Sequence, residues 1–524
     1  MRAPASGSAG CGLDRTPDPE ASLRLARRAP PPSATSGDSA RRGRGLGPVE
    51  ASGVAETGLS RLVSLPFSAI IERRRQTKAP AARTIGFWSA TALVVGHTIG
   101  IGIFLTPAQL IGTAASPASI IGLWLIAGAL VVAGAWTFGE LAARHPQEGG
   151  TYVYLEKAWG RPIAFLYGWQ SLLVMDPGIT AALALGLSEY VAVLAPRAAG
   201  YEKWIALGAI WLLAVLNMAG LRLSARVVNL LTVAKILAFL VVVVASFTVG
   251  SGSWNHFVPF AGRRPGSPSW PATLALALTG IFYSYGGFWE ASRVAGEVRE
   301  PRRDLPRALA FGVMAVTAIY LAMTIAFIYL VPAREASSAS AFARHAGQAL
   351  WGSSGPSVLA AIVILSAVPS VLAFLLMAPR VYLAMARDGL FPGVLARRGA
   401  QRQSPVRATA LLAAIATVYV LSGSFAEILT VFLCPAFVFL ALAAAGLFLL
   451  RRREPASSAF RVPGFPITTA LFVILVLAAV GIIAAGRPLQ ASIGAALVLA
   501  GLPVYVLLAR REATRARGAG ERVR

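Results

Sequence analysis

From residue 86 onward the chain consists of apolar runs of roughly 20 residues or more, separated by short stretches rich in arginine, proline and glycine. A run of that length crosses about 30 Å of bilayer hydrocarbon as a helix rising 1.5 Å per residue. Twelve such spans follow one another, at 86–111, 118–143, 162–194, 203–221, 225–249, 271–295, 306–331, 355–386, 405–422, 424–450, 465–486 and 489–509. The pattern predicts an all-α integral membrane protein of twelve transmembrane helices. Two spans are interrupted near their middle. Span 1 carries Gly100-Ile101-Gly102 within VVGHTIGIGIFLTP (Val94 to Pro107), and span 6 carries Gly286 and Gly287 within GIFYSYGGFWEA (Gly280 to Ala291). By helical rise each break lies roughly 20 Å into its span. Unwound backbone at that depth is tolerated where protein or a cavity satisfies it. The breaks are five spans apart, so spans 1–5 and 6–10 read as halves of opposite topology: a 5+5 inverted repeat with broken helices 1 and 6.

Composition agrees with a membrane protein: 56% of residues are hydrophobic, 14% are charged and the mean hydropathy is +0.65. A net charge of +25 in a soluble chain would point to nucleic acid. Here the arginines collect in the two tails and in alternate loops, the pattern that sets membrane orientation, and no nucleic-acid partner is expected. Arg222 and Arg226, Arg299 to Arg307, Arg387 to Arg407 and Arg451 to Arg461 share one side with both basic tails. The other side holds scattered charges such as Arg197, Lys203, Arg263, Arg264, Arg334 and Arg487. Both termini are therefore expected in the cytoplasm, with the protein in the plasma (inner) membrane.

Residues 1–83 lack an apolar run able to offset the entropy of ordering and read as a disordered basic tail. No apolar core follows the early arginines, and Asp14, Asp18 and Glu20 argue against a transit peptide. Residues 61–75 have the composition of a surface-lying segment, with Pro66 against it. The transporter domain is taken as 84–511, followed by a second basic tail at 512–524. Cys11 and Cys434 supply neither a disulfide framework nor a metal cluster.

A broken helix exposes N–H groups at the start of one half and C=O groups at the end of the other, so it can hold an anion and a cation a few Å apart. The carboxylate and ammonium of an amino acid fit that arrangement. The alternative for each glycine pair is close helix packing, common in membranes. Two breaks in register favour binding. Paired carboxylates, a metal cluster or a nucleophile-histidine constellation do not stand out in the loops, so neither an enzyme nor a cofactor is expected. Among ionisable residues inside the spans, Lys235 stands out; Asp176 precedes Pro177, whose freed carbonyl or a water could solvate it. Glu140 with Arg144, and Glu290 with Arg293, read as structural pairs, and His97 as a packed, hydrogen-bonded histidine whose titration near neutrality keeps a pH-sensing role open.

Four stretches in order carry a resemblance. VVGHTIGIGIFLTP resembles the first-helix signature of the amino acid-polyamine-organocation superfamily, and GELAARHPQEGGTYVYLEKAWG (Gly139 to Gly160) its first cytoplasmic loop. GEVREPRRDLPRAL (Gly296 to Leu309) is similar to the loop after helix 6, and MAPRVYLAMARDGLFP (Met377 to Pro392) to the end of helix 8. Within the superfamily the chain looks closest to the L-type amino acid transporters and their bacterial relatives. That resemblance implies a LeuT-like fold and alternating-access transport of amino acids.

Carried over residue by residue, the resemblance implies that backbone N–H groups of Ile101, Gly102 and Ile103 hold the substrate carboxylate, and carbonyls of Thr98, Tyr283 and Gly286 its ammonium. Tyr283 matches an aromatic gate; Phe288 and Trp289 would shape the side-chain pocket beside Gly287. His97 stands where the family usually has Asn, and Ile101 replaces a usual Ser or Thr, which removes a hydroxyl from the carboxylate site. Lys235 matches a lysine whose ammonium is thought to replace a sodium ion and tie helix 5 to the unwound part of helix 1. The other lysines are Lys78, Lys157 and Lys203; the chain otherwise uses arginine, which does not readily release a proton as a buried lysine can. A lysine that permanently braces helix 1 is the plainer alternative. Some animal relatives carry an accessory subunit on a cysteine outside helices 3 and 4; the loop at 194–203 has no cysteine, so no such disulfide-linked partner is expected. Neutral substrates and sodium-independent exchange or proton-linked uptake follow, against a polyamine or cationic amino acid carrier, or an amino acid receptor that does not transport.

Overall fold

The computed structural model describes residues 83, 85–113, 116–262, 269–335, 339–392, 405–423, 425–455 and 460–510. Residues 1–82 and 511–524, and with them Cys11, the 61–75 segment and both expected tails, lie outside the described residues. In lipid a segment must satisfy its own backbone polar groups, so apolar runs become helices. Among the described residues extended pairing is confined to one isolated bridge, Ile85 with Val298.

The first span forms α1 (Phe87–Thr98) and α2 (Gly102–Thr113), bent by 47° at the break. Then come α3 (Pro117–Arg144), the short α4 (Thr151–Trp159), and a third span of α5 (Arg161–Gln170), a π-turn (Ser171–Met175) and α6 (Asp176–Leu194). Next come α7 (Glu202–Ala219) and α8 (Leu221–Thr248). The second broken span is α9 (Trp270–Tyr285) and a 3-10 segment, Phe288–Glu297. It is followed by α10 (Pro301–Leu330), α11 (Ala339–Trp351), α12 (Gly355–Met377) with its continuation α13 (Pro379–Arg387), α14 (Val406–Ser422) and α15 (Phe425–Arg453). The last two are α16 (Ile467–Gly486) and α17 (Pro488–Leu499), the second continuing helically to Arg510. Nine helices among the described residues are long and apolar enough to cross a membrane, ten if α1 and α2 form one span. Two further expected spans coincide with shorter helices, α14 of 17 residues and α9 of 16.

Local chemistry explains several boundaries. Ser116 caps α3 by accepting from the Ser119 N–H at 3.2 Å, and the Ser119 hydroxyl accepts from the Ser116 N–H at 3.1 Å, with Pro117 opening the helix. Gly287 has φ +109°, the left-handed region that ends α9. Pro177 contributes no N–H, and the Leu173 carbonyl four residues earlier accepts from the Tyr419 hydroxyl at 3.0 Å instead.

Helices five spans apart pack on one another: α2 on α9, α1 on the 3-10 segment, α3 on α10, α6 on α12 and α7 on α14. Burial separates centre from rim. The apolar middle of the third span and of the tenth is mostly buried, whereas the last helix is mostly exposed and presents Leu489, Leu499 and Leu507. Apolar side chains on such an outer face suit hydrocarbon, not water. One end of the bundle is held by charges: Glu140 accepts from Arg144 and Arg451 and from the Val462 N–H, Arg387 pairs with Glu148 at 2.9 Å, and Arg380 with Glu297 at 3.0 Å. At that end, just past α3, burial holds the His145 ring below the ordinary histidine range despite the Glu454 carboxylate 3.6 Å away.

Candidate functional site

Both breaks open on one cavity. Its walls come from His97, Thr98, Gly100, Ile101 and Gly102 of the first broken span and Tyr283, Ser284, Gly286 and Trp289 of the second. Met175, Ile179 and Leu183 of the third span, Ser370 and Phe374 of α12, and Phe432, Leu433, Ala436 and Phe437 of α15 complete it. About 30 Å³ is open to the centres of water molecules, space for roughly two or three waters at ~10–15 Å³ each. The free space between the two breaks is thus narrow, a few waters in extent.

Helix ends give the cavity its polarity. At the start of α2 the first N–H groups have no intrahelical acceptor, and at the ends of α1 and α9 the last carbonyls have no intrahelical donor. An anion is favoured at the α2 end and a cation at the other. Ile101 and Gly102 line the cavity, while Ile103 is buried beside it. The Thr98 carbonyl already accepts from the Tyr320 hydroxyl at 3.0 Å, and the Tyr283 carbonyl from the Gly286 N–H at 3.1 Å, each keeping a second lone pair. Tyr283 and Gly286 line the cavity. Gly287 lies against helix 1: a Cβ there would come within 3.1 Å of the His97 carbonyl oxygen. Phe288, expected in the side-chain pocket, instead packs edge-to-face on Phe138 of α3 at 6.0 Å and on Trp289 at 5.2 Å.

The break of helix 1 is anchored from two sides. The Lys235 ammonium, fully buried on α8, donates to the Gly96 carbonyl at 2.9 Å and the Ile99 carbonyl at 2.5 Å, with the Ser370 hydroxyl at 3.5 Å. From α12, Ser370 donates to the Ile99 carbonyl at 3.2 Å and Ser366 to the Gly100 carbonyl at 3.0 Å. Sequence reasoning did not single out Ser366, Ser370 or Tyr320. Two serines four apart in an otherwise apolar span, which share a helix face, were the available signal.

Below the cavity lies a buried ionic cluster. Arg293 pairs with Glu290 at 2.6 Å and with Asp176 at 3.3 Å, and Asp176 also accepts from the Ser171 and Tyr382 hydroxyls, both at 2.7 Å. Asp176 is therefore held by side chains, not by a proline-freed carbonyl; the Leu173 carbonyl goes to Tyr419. The expected Glu290–Arg293 pair is present, and its extension to the third span joins three elements that sequence spacing leaves unrelated.

A bundle of long apolar helices around a central cavity walled by two broken spans is the frame of a multi-pass membrane protein. The family model for amino acid permeases matches residues 85–508, and the chain belongs to that family. It is 27% identical over 436 residues to the serine/threonine exchanger SteT of Bacillus subtilis (strain 168), covering 82% of this chain and 98% of the exchanger. It is 28% identical over 377 residues to the b(0,+)-type amino acid transporter 1 of Homo sapiens, 70% of this chain and 76% of the other. Against the human large neutral amino acids transporter small subunit 2 the identity is 29% over 440 residues, 81% and 80% of the two chains. The chain is accordingly an amino acid transporter.

Proposed function

We propose that this protein carries neutral amino acids across the plasma membrane by alternating access, as a sodium-independent exchanger or proton-linked importer. The observation that carries the reading is the cavity between the two helix breaks, with helix-end N–H and C=O groups in its walls and a mostly apolar remainder. A zwitterion satisfies both helix ends at once: the carboxylate at Ile101, Gly102 and Ile103, the ammonium at the Thr98, Tyr283 and Gly286 carbonyls, with Tyr283 as the gate. Lys235 supplies a positive charge at the Gly96 and Ile99 carbonyls, where a sodium ion would otherwise be needed. Exchange also agrees with the names of the relatives, one an exchanger of serine and threonine and one a carrier of large neutral amino acids.

Twelve spans in a 5+5 LeuT-like repeat account for the packing of helices five spans apart. Loop charge supports cytoplasmic termini, because the basic loops around 144, 299, 387 and 451 meet at one end of the bundle. A cationic amino acid or polyamine would call for a carboxylate on the cavity wall; among the described residues the wall has none, and Glu290 is engaged by Arg293. The carrier is expected to work without a disulfide-linked subunit, since the loop at 194–203 has no cysteine and Cys434 is buried in α15.

Counterflow of all twenty amino acids by the purified chain in proteoliposomes tests the reading. Alanine, serine, threonine and leucine should exchange and arginine and polyamines should not, with or without sodium. Arginine outcompeting them would overturn the neutral pocket, and binding without counterflow would make the protein a receptor.

A further inference from the structure

The cavity wall includes a histidine that the zwitterion model does not use. His97 is the last residue but one of α1, and its neighbours fix it in place: Lys235 holds the Gly96 carbonyl and Tyr320 the Thr98 carbonyl. The helix 6 break presses on its backbone at Gly287, and its ring stands edge-to-face on Phe374 at 5.4 Å. Three hydroxyls of the wall are committed. Thr98 donates to the Val94 carbonyl at 2.7 Å, Ser284 shares a hydrogen bond with Thr106 at 2.7 Å, and Ser370 donates to the Ile99 carbonyl. The His97 ring, by contrast, is buried with neither Nδ1 nor Nε2 hydrogen-bonded to any protein group. Buried polar groups are almost always paired, so an unpaired ring on a residue of the cavity wall points to a partner that arrives with the ligand.

Resting on the reading of the cavity as an amino acid site, we infer that His97 reads the substrate's side chain and selects neutral amino acids that bear a hydroxyl or a carboxamide. A neutral imidazole offers one N–H donor and one nitrogen acceptor. A hydroxyl or carboxamide can answer either; an aliphatic side chain answers neither and leaves the ring unpaired. The surrounding Met175, Ile179, Leu183 and Phe374 supply shape without further hydrogen bonds to the ligand side chain. Discrimination by His97 is sharpest between isosteres. A site built to hydrogen-bond a hydroxyl rejects the analogue lacking it far more strongly than an apolar pocket separates two sizes.

Threonine and valine have nearly the same shape, so their competition against a labelled substrate isolates the hydroxyl. In wild type, threonine should compete about tenfold or more better than valine, in counterflow and in displacement of label from the detergent-purified protein. His97→Leu should bring the two within about threefold, and His97→Gln, which keeps a donor and an acceptor, should restore part of the preference. Wild type without a preference for threonine overturns the inference whatever the variants do, as does His97→Leu with the wild-type ratio. Binding that discriminates without counterflow would sink the transport reading and leave this one standing. Counterflow that does not discriminate would do the reverse.

Discussion

Replacing Lys235 with alanine withdraws a buried ammonium from the Gly96 and Ile99 carbonyls, which it meets at 2.9 and 2.5 Å. A hydrogen bond to a charged group contributes about 1.5–3 kcal/mol, so the pair holds the unwound segment by about 3–6 kcal/mol. Every 1.4 kcal/mol is tenfold, so conformers that depend on the brace lose population by roughly 10²- to 10⁴-fold. Ser370 retains its bond to Ile99, which keeps the lower figure the safer expectation. Lys235→Ala should therefore cut the initial uptake rate by about 100-fold or more, at unchanged amounts of protein in the membrane. Lys235→Arg keeps the charge, but the side chain is fully buried against α1 and α12, and a guanidinium is larger and does not readily release its proton. It should recover only part of the rate. Initial uptake into proteoliposomes, with and without sodium, measures both variants. Lys235→Ala within a few-fold of wild type would falsify the brace, and a fully active Lys235→Arg would remove proton release from the mechanism.

Arg293→Met strips the guanidinium from the two buried carboxyls of Asp176 and Glu290 and should cost about 3–5 kcal/mol, read as a markedly lower melting temperature in detergent. Adding Asp176→Asn and Glu290→Gln should return most of it; a triple variant no more stable than Arg293→Met would contradict a cluster held by charge. Tyr283→Phe should keep most transport and Tyr283→Ala should lose it, as the proposed gating by the ring requires; equal loss in the two uptake assays would move the role to the hydroxyl. His145 is held neutral by burial, so the folded state binds fewer protons there than the unfolded chain. Its contribution to stability is present above the unfolded value of about 6.5 and is lost as pH falls below it toward the folded value. Melting curves between pH 7 and 5 should be flatter for His145→Gln than for wild type, and parallel curves would refute the assignment.

The spans were legible in the sequence because lipid imposes one rule: an apolar run must close its own hydrogen bonds, and length then predicts a helix. The breaks were legible for the converse reason, since glycines in mid-span loosen the ladder where α1 ends at Thr98 and α9 at Tyr285. Periodicity could not decide which side chains face the cavity from the unbroken helices, because a span that is apolar all round has no polar face to orient it. Packing alone brings Ile179, Phe374 and Phe437 to the cavity and turns Phe288 toward Phe138. The ionic partners were hidden by distance along the chain: Glu290 and Arg293 are three residues apart and could be paired by helical spacing, but Asp176 is 117 positions from Arg293. For His97 the residue type was plain, and its want of a hydrogen-bond partner was not. That is a property of every neighbour at once, which only the folded chain specifies.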